Sequence, residues 1–96
     1  MAKPFIRFRL SEADNLVLRK VEGREAWALE ELLTRRDRGV SSLEHVGPRL
    51  AHYVMKLRRA GLAIETVHED HGGTFKGWHA RYVLRSPVEI IERAGL

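Results

Sequence analysis

The sequence predicts an α+β fold: a helical core followed by a β-hairpin, with a second hairpin in front and a short helix behind. Two observations carry this. Apolar residues recur at helical intervals only in the middle of the chain, and alternating, β-branched runs lie on both sides of it. A third bounds it: 96 residues suffice for one modest hydrophobic core and no second one.

Taken in order, "PFIRFRL" and "NLVLRKV" are β-rich runs joined by the polar "SEAD", which reads as an N-terminal hairpin over residues 4–22. From Arg24 to Arg36, Ala26, Leu29, Leu32 and Leu33 recur every three or four residues, and Arg35 and Arg36 suit the negative end of that helix dipole before Gly39 stops it. Ser41-x-x-Glu44 has the spacing of a capping box, so a short helix is expected before Gly47. Pro48 then suits the first turn of a third helix, because its missing N–H has no partner there anyway, and Gly61 ends that helix in the left-handed region. These three helices form a core over residues 24–61. "LAIETVHE" and "HARYVL" alternate as strands of a hairpin over 62–85, with a glycine-rich loop between them. Ser86, Pro87 and Glu89 stand as cap, first position and third position of a short C-terminal helix over 86–96. Three helices followed by a β-hairpin is the layout of a winged helix-turn-helix, the loop around residues 69–78 being the wing.

Charge sharpens the expectation. The net charge is +4, and its excess is local: residues 41–62 hold four Lys/Arg against one acid, whereas residues 63–96 hold four against five. On a helical wheel Leu50, Tyr53, Val54 and Leu57 form one apolar arc. Arg49, His52, Met55, Lys56 and Arg59 fall opposite, with Arg58 at the edge of the buried stripe, where its stem can snorkel. A helix that packs one face and presents cations on the other suits the major groove of duplex DNA. A face kept only for solvation mixes acids at helical spacing with its bases, and this one does not. The expected DNA contacts are Arg49, His52, Lys56 and Arg59 in the groove, Ser41 and Ser42 at a helix start meeting phosphate, and Arg35, Arg36, Arg38 and Lys76 flanking.

The same segments carry a resemblance. "GVSSLEHVGPRLAHYVMKLRRAGLAIETV" followed by "HARYVL" resembles small bacterial and phage-related winged helix domain proteins, in which a short helix, an arginine-bearing recognition helix, a "G-x-x-IET" strand and an "ARYVL" strand succeed one another. "HEDHGGTFKGWHARYVL" is similar to a branch with an "HGG" turn in its wing. The resemblance spans about residues 24–85 and implies a winged-helix fold with DNA binding, in a small transcriptional or accessory regulator. One departure is local: Glu69 and Asp70 put negative charge into the wing, opposed there by Lys76.

Other chemistries find little footing. There is no Cys, no P-loop, no nucleophile elbow and no dinucleotide fingerprint, and the carboxylate pairs Glu30-Glu31 and Glu69-Asp70 lack an enclosing pocket, so no catalysis is expected. His68, His71 and His79 could approach across the wing, but H-x-x-H without Cys is unspecific; neither a metal nor another cofactor is expected. The absence of Cys, of an apolar leader and of any long apolar run points to the cytoplasm. The alternative use of the scaffold is a protein interaction module, with Trp27, Phe75 or Trp78 as its contact surface.

Overall fold

In a computed structural model, which describes residues 3–12, 14–41, 49–71 and 77–96, the chain builds two three-stranded antiparallel sheets around a central helix. Strands β1 (Phe5–Glu12) and β2 (Asn15–Glu22) are followed by helix α1 (Arg24–Arg35), a 3-10 turn (Arg36–Arg38) and a two-residue strand β3 (Val40–Ser41). Helix α2 (Leu50–Arg59), strands β4 (Ile64–His71) and β5 (Gly77–Leu84), and strand β6 (Glu89–Ala94) complete it. The sheets have the orders β2-β1-β6 and β3-β5-β4. Helix α1 touches both sheets as well as α2, so it is the hub of the core.

The hairpin β1–β2 is longer than the polar "SEAD" suggested, because Ser11 and Glu12 extend the ladder until Glu12 faces Asn15. A two-residue turn then closes it with Asp14 at φ 67°, a conformation Asp tolerates better than most residues. Alternation along β1 buries Ile6, Phe8 and Leu10 and turns Arg7 and Arg9 outward. Beneath them lie Ala26, Ala28, Leu29 and Leu32 of α1, then Leu50, Val54 and Leu57 of α2, with Leu62 and, from the second sheet, Ile64, Ala80, Tyr82 and Leu84 closing the core. At Gly39 (φ 72°) the chain passes so near β5 that a Cβ would stand 2.6 Å from the Tyr82 carbonyl oxygen. Glycine is required there twice over, by conformation and by space.

Three expectations are corrected. The C-terminal helix is a strand: Glu89–Ala94 pairs with β1, with a register shift between Arg7 and Phe8. The local capping signal loses because its parts are used elsewhere. The Ser86 hydroxyl accepts from the Ala63 N–H (2.7 Å) and Glu89 pairs with Arg9, while the β-branched Ile90 and Ile91 suit the open edge of β1. Second, Ser41 does not open a helix; it is 3% exposed and pairs with Arg81 in β3. Third, the described residues contain two α-helices rather than a three-helix core, the remainder of the expected second helix, from Ser42 on, lying outside the described residues.

Candidate nucleic-acid interface

Helix α2 divides its surface as the wheel predicts. Leu50, Val54 and Leu57 are buried and Tyr53 is packed partly against them, while Arg49, His52, Met55, Lys56 and Arg59 are exposed. The helix ends in a Schellman motif, with Leu62 N–H donating to the Leu57 carbonyl and Gly61 N–H to that of Arg58, Gly61 standing at φ 97°. At the other end Arg49 is the N-cap. Among the described residues no side chain caps this helix, and no acid lies in its first turn to offset the positive end of the dipole.

Whether a cation can meet an external anion depends on what already holds it. Among the described residues, Arg49 and Arg59 make no ion pair or side-chain hydrogen bond, and neither does the side chain of Arg38. His52 meets the Tyr53 ring edge-on at 5.6 Å. Lys56 is shared: its Nζ lies 3.4 Å from a carboxylate oxygen of Glu25 on α1. Arg58 is committed inward, donating to the Ile64 carbonyl from Nε (3.1 Å) and Nη2 (2.6 Å) and to Thr66 Oγ1 (2.8 Å), which ties α2 to β4.

Two of the expected flanking cations are likewise occupied. Arg35 pairs with Glu31 one turn back (3.4 Å), and Arg36 donates to the Ser86 carbonyl (3.1 Å). Ser41 is buried in β3 and so does not present its hydroxyl to a phosphate. Ser42, Phe75 and Lys76 lie outside the described residues, and of Trp78 only its backbone place opposite Asp70 is described. Trp27 is half-buried and packs against the core.

The wing strands explain part of the negative charge. Glu69 and His79 face each other across the ladder, and a Glu69 carboxylate oxygen accepts from Arg81 Nε (2.6 Å) with His79 Nε2 at 3.2 Å. The Arg81 hydrogen bond, aided by the charges of Arg81 and His79, holds the Glu69 carboxyl below its usual range. Arg81 also donates to the Arg38 carbonyl (3.0 Å), so this acid is neutralised within the sheet. His68 pairs with Ala80 and His79 with Glu69, and alternation therefore sends the two imidazoles to opposite faces.

Arg81, and Arg85 just past the end of β5, were not singled out from the sequence. Arg85 pairs with Glu65 at 2.7 Å. Their signal is the register of the β4–β5 ladder, which puts Arg81 opposite Val67 and diagonally across from Glu69, and carries Arg85 past the last pair to within reach of Glu65; that register is not set by any single stretch of the sequence.

With this geometry in view, comparison with known proteins is informative at the level of the family. Neither a curated protein nor a solved structure gives a significant match. A family model described as a winged helix domain matches residues 18–94, which takes in β6 as well as α1, α2 and the wing strands. No helix among the described residues is long and apolar enough to cross a membrane. The chain belongs to the winged helix domain family.

Proposed function

We propose that this winged helix domain binds duplex DNA by laying the outer face of α2 in the major groove, as a small transcriptional or accessory regulator without catalytic activity. The observation that carries the reading is the pair of exposed cations on that face, Arg49 and Arg59, together with exposed Arg38 of the 3-10 turn, that have no acid partner among the described residues. His52 stands on the same face with a polar edge suited to a base, and Lys56 exchanges Glu25 for phosphate when DNA approaches. The uncapped start of α2, with Ser42 before it, supports a backbone contact there. Lys76 extends the same reading into the wing. Arg35 and Arg36 stabilise the protein rather than touching DNA.

With three to four cations displacing counterions, log affinity should fall against log salt with a slope of about −3. The test is binding of the intact protein to a pool of genomic duplex fragments at two salt concentrations. Affinity that rises as salt is lowered, with enrichment of particular fragments, supports the reading. A flat titration at about 50 mM salt, where electrostatic association is favoured, overturns it.

A further inference from the structure

Sheet β2-β1-β6 has two long edges, and they are treated differently. The β6 edge carries the register shift, follows Pro87 and turns Glu89 and Glu92 outward onto Arg9 and Arg7, all features that discourage a further strand. The β2 edge is eight residues without a proline, paired in unbroken register with β1. It also bears the two most exposed large apolar side chains among the described residues, Leu16 at 70% and Leu18 at 59%.

We propose that β2 is a self-association edge: two copies of this chain pair antiparallel through β2 to form one continuous six-stranded sheet. The occupant follows from register and from the self-complementary order of side chains along the strand. Glu12 and Asn15 flank a two-residue turn and close the first ladder bonds, so the odd residues of β2 spend their N–H and C=O groups on β1. The even ones, Leu16, Leu18, Lys20 and Glu22, point theirs to the free edge. A two-fold axis must then pass through a residue of β2, and three positions bring most of the strand together. Through Arg19, the guanidinium meets its own copy. Through Leu18, Leu16 faces Lys20 of the other copy and Val17 faces Arg19. Through Val17, the pattern matches itself: Leu16 of each copy faces Leu18 of the other, Val17 faces Val17, and Asn15 faces Arg19. The leucines meet each other and no like charges are opposed, so the Val17-centred register is the one the strand specifies. This surface is separate from α2 and does not rest on the DNA-binding reading.

The test is sedimentation equilibrium of the full chain up to about 100 μM, with amide hydrogen exchange at low and high concentration. A dimer is expected, and exchange at Leu16 and Leu18 should slow as it forms. Leu18→Glu, at an exposed position, should weaken the dimer by roughly tenfold or more while circular dichroism stays native. Adding Leu16→Lys to that variant should restore it, because the two positions face each other across the axis, whereas a Leu18-centred register would set like charges face to face. A chain that stays monomeric overturns the proposal. So does a dimer that survives Leu18→Glu, that is not restored by the added Leu16→Lys, or that leaves the β2 amides unprotected, as face-to-face stacking would.

Discussion

The outer face of sheet β2-β1-β6 and the outer face of α2 both present arginines, and their fates differ. On the sheet, Arg7 pairs with Glu92 (2.7 Å) and Arg9 with Glu89 (3.1 Å), and on the opposite face Arg93 reaches back to Glu30 of α1 (2.7 Å). On α2, Arg49 and Arg59 meet no acid among the described residues, and Lys56 has only a shared one. A protein with 17 Lys/Arg and 13 Asp/Glu has enough acids to cover most of its bases. Where the acids are placed, rather than the sum, decides which surface keeps an unneutralised field. The strands use charge to hold an edge together; α2 keeps Arg49 and Arg59 without an acid partner among the described residues.

Variants that break or sharpen this contrast fall in a clear order. The largest effect is expected from Leu57→Ala, which removes a fully buried side chain where α2 meets the core and should cost about 2 to 5 kcal/mol in urea unfolding. It would disable the α2 face through the fold rather than through charge. Next, Arg49→Ala or Arg59→Ala should weaken duplex binding roughly tenfold at low salt and make the salt slope shallower by about one unit, with an unchanged thermal midpoint. A midpoint that falls with either would show that these side chains belong to the fold after all. Lys56→Ala should have a smaller effect, because Glu25 already competes for that cation.

A third effect depends on pH. The Glu69 carboxyl is held below its usual range in the folded protein, chiefly by the Arg81 hydrogen bond. A depressed carboxylate stabilises the fold above its unfolded pKa, and the stabilisation is lost as pH falls through the folded value. Urea unfolding of wild type and Glu69→Gln should therefore differ at neutral pH and converge in acid below the usual Glu range. Divergence that persists there would place the cause in packing rather than charge. The smallest effect belongs to Arg9→Ala: its partner Glu89 is well exposed, and such pairs contribute about 0 to 1 kcal/mol.

What the sequence determined by itself was whatever depends on a residue and its neighbours within a turn or two. The wheel of Leu50, Val54 and Leu57 against Arg49, His52, Lys56 and Arg59 is a property of helical period. The stop at Gly61, the alternation of β1 and the wing strands, and the family resemblance all rest on local order too. Tertiary structure decided the rest, because pairing between distant segments can outbid a local preference. Ser86-Pro87-x-Glu89 reads as a helix start, yet β1 offered an open edge whose hydrogen bonds and facing arginines were stronger partners for Glu89–Ala94. Ser41 has the spacing of a cap, yet β5 took it as a strand residue. Arg35, Arg36, Arg38 and Arg49 look alike in one dimension; only the fold brings Glu31 to the first and the Ser86 carbonyl to the second, and among the described residues gives the side chains of the other two no partner. An ion pair needs its partner within a few ångströms, and that distance is set by register and packing, neither of which is written in any single stretch of the chain.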